Sequence, residues 1–132
     1  MTPDELYKHL NLIDEYRKAK ETLAALELAA KPGAQAFTGM PHSPGVSDIV
    51  GYFAAEIADL SNRIEQMDEQ IKLNYAKIAE WVDTIQDAQT RTAFRMRYLL
   101  GLEWKEVAPL VSKTATDASV RSMCNRYLKK SI

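Results

Sequence analysis

Residues 50–85 read VGYFAAEIADLSNRIEQMDEQIKLNYAKIAEWVDTI, and this stretch decides the fold class. Val50, Ile57, Ile64, Ile71, Ile78 and Ile85 recur every seven residues, and Phe53, Leu60, Met67, Asn74 and Trp81 recur every seven in the complementary phase. Steps of three and four sustained over about five heptads predict a long helix carrying a coiled-coil seam. A repeat of about 3.5 residues, shorter than the helical 3.6, forces a slow left-handed wrap around a partner. β-Branched residues at one core position and Leu or Met at the other suit two strands. Asn74 is the polar interruption; it prefers another Asn or a defined acceptor and can fix the register. The expected oligomerisation seam is Phe53, Ile57, Leu60, Ile64, Met67, Ile71, Asn74, Ile78 and Trp81. Glu65, Asp68 and Glu69 flank it as solubilising charge.

Upstream, a first helix is expected from about Pro3 to Lys31. Thr2 can cap it, Pro3 sits where its missing N–H costs nothing, and Glu5 falls at the capping-box position. Leu6, Leu10, Ile13, Tyr16, Ala19, Leu23, Leu26 and Ala30 form one apolar stripe, with Asp14, Glu15, Lys18 and Glu21 on the other side. At ~1.5 Å per residue this helix is about 43 Å long, too long to hide against a small domain without a partner of similar length. His9 is expected at the surface or in the seam, without chemistry. Pro32, Gly33, Gly39, Pro41, Pro44 and Gly45 then occupy six of the fourteen positions 32–45, so neither period survives. The linker at 32–46 reads as a connector; a docking role for Phe37 and Met40 is the lesser alternative. Through it the first helix can fold back as an antiparallel hairpin, or the heptad helix can pair with a second chain, or both, giving four helices from two hairpins. The length and regularity of the repeat favour a homodimer or higher homo-oligomer.

Downstream, the charge changes sign. Residues 1–90 hold 8 basic and 15 acidic side chains, net −7, whereas residues 91–132 hold 9 basic and 3 acidic, net +6. The whole chain of 132 residues sums to −1, which argues against a uniformly basic binder and points to a polyanion partner for the last third. From Asp87, which can cap it, a helix runs to about Leu100, and Gly101 ends it as a left-handed glycine does. A short helix follows from Glu103 to Val111, with Trp104, Val107, Ala108 and Val111 inward. Pro109 is awkward there: it falls in a first turn if the helix starts late, or it kinks the end. Ser112 to Thr116 is a polar turn. Thr116 or Asp117 caps a last helix to about Lys130, with Val120, Met123 or Cys124, Tyr127 and Leu128 on its apolar face.

Short helices, a tight turn, a small Ala108 where helices cross and a last helix with small and basic residues outward make the helix-turn-helix plan. The major groove admits one α-helix, small residues permit close approach, and Arg or Asn reach base edges. The expected DNA-facing residues are Ala118, Ser119, Arg121, Ser122, Asn125, Arg126 and Lys129, with Lys113 and Arg95 on the backbone. Arg91, Lys105 and Lys130 are further phosphate candidates. Arg95 and Arg97 are phosphate clamps or partners of Asp87 or Glu103. Trp104 reads as core.

The run Arg97-Tyr98-Leu99-Leu100-Gly101-Leu102-Glu103-Trp104-Lys105-Glu106-Val107-Ala108, with Val120-Arg121 and Arg126-Tyr127-Leu128 after it, resembles region 4 of sigma-70-type factors. More specifically, it resembles phage-encoded late-operon regulators of the RinA/ArpU type. The linker Thr38-Gly39-Met40-Pro41-His42-Ser43-Pro44-Gly45 between two long helices is similar to theirs as well. The resemblance implies a DNA-binding transcription regulator, often an activator of packaging or late genes, in a bacterial host cell. By the family pattern Trp104, Val107 and Ala108 are core of the first motif helix, and Ala118, Ser119, Arg121, Ser122 and Asn125 face DNA.

Other classes are excluded on residues alone. Cys124 is the single cysteine and cannot form an internal disulfide; with no histidine in the C-terminal half it reads as a small buried hydrophobe. His9 and His42 have no second cysteine to join them in a zinc site, so no metal and no cofactor is expected. No apolar run approaches the ~20 residues that cross a bilayer. The acidic start, Met1-Thr2-Pro3-Asp4-Glu5, is unlike a signal peptide, and a cytoplasmic protein without membrane contact is expected. No phosphate-binding glycine loop or nucleophile motif is present, so an enzyme is not expected. The reading is therefore an all-α protein. Residues 1–86 form a hairpin or coiled-coil oligomerisation region, and residues 87–132 a helix-turn-helix domain binding duplex DNA. Two rivals remain: a protein-interaction factor docking on RNA polymerase or another phage or host protein, and a small terminase subunit that packages DNA.

Overall fold

The first helix is closed at its start by two reciprocal bonds. The Glu5 N–H donates to Thr2 Oγ1 (3.2 Å) and the Thr2 N–H donates to Glu5 Oε2 (3.1 Å), satisfying two donors that a helix start leaves orphaned. The Thr2 bond, and then Lys77, hold the Glu5 carboxyl below the usual carboxylate range. In the computed structural model, which describes residues 1–31 and 46–130 (side chains from 51 in the second stretch), this helix is α1, Pro3–Ala30. The linker, with Phe37 and Met40, lies outside the described residues, as does the side chain of Val50.

Among the described residues all regular structure is helical. The order is α1, then α2 (Val46–Val82), α3 (Ala88–Phe94), a π-helical turn (Arg95–Leu99), α4 (Trp104–Val111) and α5 (Asp117–Lys130). None of these helices is long and apolar enough to cross a membrane. The chain divides into two compact units, residues 14–69 and residues 1–13 with residue 70 onward. The expected boundary at 86/87 thus falls inside the second of these, in the loop between α2 and α3.

Within the unit formed by residues 1–13 and 70 onward, the first turns of α1 lie against the end of α2. Lys77 Nζ reaches Glu5 Oε1 at 3.5 Å, and Leu6 shares a buried cluster with Ile78 and Val82. The same cluster takes in Ile85, Phe94, Val107, Val120, Cys124 and Leu128. The repeat read from the sequence runs on to Ile85, but α2 stops at Val82. Ile85 is buried from a loop, its N–H donating to the Val82 carbonyl at 3.0 Å. Asp87 caps α3 by accepting from the Thr90 N–H (3.0 Å) and hydroxyl (2.6 Å), bonds that also lower its own pKa.

The expected single helix to Leu100 widens at Arg95–Leu99 into a π turn, with the Leu100 N–H bonding to the Arg95 carbonyl at 3.2 Å. The wider turn lets Phe94, Tyr98 and Leu99 all be buried, whereas five residues of α-helix would carry Leu99 well off the Phe94 face. Gly101 then takes φ +72° and ends the segment, a conformation that favours glycine. Pro109 stands inside α4 at its sixth residue, in neither the first turn nor the last residue. Its missing donor leaves the Lys105 carbonyl without an intrahelical bond on an exposed side of the helix.

The unit of residues 14–69 has a different character. Tyr16, Ala19, Leu23 and Leu26 on α1, and Phe53, Ile57, Leu60, Ile64 and Met67 on α2, are half-buried, and no described residue of this unit is buried. Local pairs decorate its surface, such as Lys18–Asp14 at 3.0 Å and Lys20 Nζ 5.1 Å from the Tyr16 ring centroid.

Candidate nucleic-acid interface

The last helix is set by its cap. The Ser119 N–H donates to Thr116 Oγ1 (3.1 Å), and the Thr116 N–H donates to Ser119 Oγ (2.9 Å), so Thr116 is the cap residue and Asp117 the first helical one. Val120, Cys124 and Leu128 are buried at successive steps of four, and Met123 and Tyr127 flank them half-buried. Burial pushes the Cys124 thiol up to about 12. Since one arc of α5 is inward, the opposite arc must face water. Ala118, Ser119, Arg121, Ser122, Asn125, Arg126 and Lys129 are all exposed on it. Ser119, Ser122, Asn125, Arg126 and Lys129 line one shallow open depression along the helix. Among the described residues no ion pair engages Arg121, Arg126 or Lys129.

The arc is small near its start and long and cationic further on. A helix of this profile can enter a groove, present an Arg fork and an Asn amide to base edges, and place cations on phosphates. Asp117 in the first turn and Lys129 and Lys130 in the last both match the helix dipole. The Ser119 hydroxyl is already engaged, since it also donates to the Thr116 carbonyl at 2.9 Å.

The other sequence candidates are dispersed. Lys113 is exposed in the turn between α4 and α5. Arg95 is on the π turn and pairs with Asp83 at 2.7 Å, in place of Asp87 or Glu103. Arg91 donates to the Ile85 carbonyl at 2.8 Å and so ties down the loop after α2. Arg97 donates to the Leu102 carbonyl at 2.9 Å, and its guanidinium lies 5.3 Å from the centroid of the half-buried Trp104 ring. A second depression gathers Arg97, Trp104, Lys105 and Arg121 with the carboxylates of Glu103 and Asp117, so its charge is mixed. Gln89 at the start of α3, which the sequence did not single out, lines a third depression with Thr114, Ser119 and Arg126. An exposed glutamine has no local signature, so only the packing of α3 beside α5 reveals it.

Of the expected seam, Phe53, Ile57, Leu60, Ile64, Met67, Ile71 and Asn74 are half-buried. Asn74 Oδ1 accepts from Gln70 Nε2 at 2.8 Å in its own helix. Ile78 and Trp81 belong to the chain's own core: Ile78 is 2% exposed, and the Trp81 ring meets Phe94 edge-on at 5.0 Å and Tyr127 at 6.0 Å.

Comparison with known protein families, curated proteins and solved structures finds no match.

Proposed function

We propose that the chain is a sequence-specific duplex-DNA-binding transcription regulator, phage-encoded, that acts as a homo-oligomer through an N-terminal helical hairpin. In this reading α4, the turn at 112–116 and α5 form a helix-turn-helix, with α5 the recognition helix. The observation that carries it is the exposed arc of α5, free of ion pairs among the described residues, in a segment of 9 basic and 3 acidic side chains. Packing of Val107 and Ala108 against the Val120 and Cys124 side of α5 supports it, because that contact leaves the arc outward. The resemblance of residues 97–108 to sigma-70 region 4 and to RinA/ArpU-type regulators points the same way. Arg121 and Asn125 would read base edges, while Arg126, Lys129 and Lys113 would hold phosphates.

A salt-titrated binding assay on duplex DNA tests this. The expected log–log slope is several units negative, at about −0.9 per phosphate neutralised. Arg121→Ala should weaken a selected site by about 1–3 kcal/mol, or roughly 5- to 150-fold, without unfolding the protein. Absence of duplex binding at low salt would remove the proposal. The second reading, docking on RNA polymerase or another phage or host protein, draws on the net −7 of residues 1–90, counted as 8 basic and 15 acidic, and on Glu103 and Asp117 beside Arg121. Capture of polymerase that persists without DNA and in Arg121→Ala would favour it.

A further inference from the structure

Residues 14–31 and 51–69 include no buried side chain, yet Leu23 and Leu26 on α1 and Ile57, Leu60, Ile64 and Met67 on α2 lie half-buried in two stripes. Leu28 and Tyr52 of the same unit are 65% and 62% exposed. Two helices can shield one side of such stripes but cannot enclose them; four can. We infer that a second copy of this chain covers this face. The two α2 helices run parallel and in register at the centre of a four-helix bundle, flanked by the two α1 helices.

Self-complementarity argues for a copy over an unrelated occupant. Ile57, Ile64 and Ile71 alternate with Leu60 and Met67, so a parallel copy meets each layer with its own kind. The positions before each isoleucine are Glu56, Arg63 and Gln70, and those four after are Ser61, Asp68 and Tyr75. In-register pairing brings Arg63 of one chain toward Asp68 of the other and sets no like charges face to face. It also places Asn74 level with Asn74 of the second copy. Since Asn74 Oδ1 already accepts from Gln70, the amide nitrogen is left to donate across the seam. An antiparallel alignment would set that amide against an isoleucine. With α1 beside α2 as in the proposed hairpin, the face from Ile57 to Asn74 is about 27 Å long and ~20 Å wide; two such faces give about 1,100 Å², just above the ~1,000 Å² that a specific interface needs. Beyond Asn74 the seam closes on its own chain, because Ile78 is 2% exposed.

This inference rests on the oligomeric part of the proposed function, and its test contains no DNA, so the two can fail separately. Sedimentation equilibrium of the full chain at tens of micromolar should give twice the 14.9 kDa of one chain. Ile57→Asp with Ile64→Asp should halve that mass while near-ultraviolet circular dichroism of the Trp81–Phe94–Tyr127 cluster persists. A short bifunctional thiol reagent should link two chains of Asn74→Cys but not of Asn62→Cys, and buried Cys124 should leave the wild type unlinked. A single-chain mass overturns the inference. So does a ring-sized assembly, which fits the terminase-type alternative, or a dimer whose Asn74→Cys variant does not link.

Discussion

His9 shows how one side chain can set a pH limit on packing. It is 1% exposed, and neither ring nitrogen has a hydrogen-bond partner. Burial alone lowers its pKa, so the folded chain holds it neutral. Beside it on α1, Leu6 belongs to the buried cluster and Leu10 packs against that cluster, and Glu5 pairs with Lys77 of α2. With the folded pKa depressed, the unfolded chain binds the proton first. Stability is therefore full above about pH 7 and falls as pH drops through the unfolded value of about 6.5 toward the folded one. Thermal unfolding at pH 7.5 and 5.0 should show this loss, and His9→Leu should flatten it; an unchanged slope in that variant would refute the assignment. Other residues were opaque to sequence reading for a similar reason. Arg91 and Arg97 bond to the carbonyls of Ile85 and Leu102, and a backbone acceptor five or six residues away leaves no trace in residue type.

Helix ends were legible because capping chemistry is local. Thr2 with Glu5, Asp87 with Thr90, and Gly101 each act where the sequence places them. Thr116→Ala removes the acceptor of the Ser119 N–H and should cost about 1 kcal/mol, read as a shift in denaturation midpoint, whereas Thr116→Asn should stay within a few tenths. The π turn was not legible, since it arises from three large side chains competing for one core, a tertiary demand. The heptad pattern of α2 was legible as periodicity but silent on partner. The same spacing that half-buries Ile57 and Ile64 also places Ile78 in the buried cluster and seats Trp81 against Phe94 and Tyr127. Proline inside α4 is tolerated although propensity argues against it, because Pro109 and Lys105, the residue whose carbonyl loses its donor, are both exposed.

The two units differ in what holds them. Residues 1–13 and 70 onward enclose a buried cluster, whereas described residues 14–31 and 51–69 enclose none. Local opening free energy follows buried apolar contact. Amide hydrogen exchange should therefore be faster along 14–30 and 46–69 than around Phe94, Val107 and Cys124, and protection of the former should rise with protein concentration. Equal protection in dilute solution would contradict the difference. Both tryptophans belong to the better-enclosed unit, Trp81 wedged against Phe94 and Tyr127 and Trp104 beneath Arg97. Intrinsic indole emission is consequently blind to the stretch 14–69, whose aromatic side chains are tyrosine and phenylalanine. A fluorescence melting curve of this protein follows one unit only, and its midpoint parts from that of a backbone signal whenever the other unit loosens first.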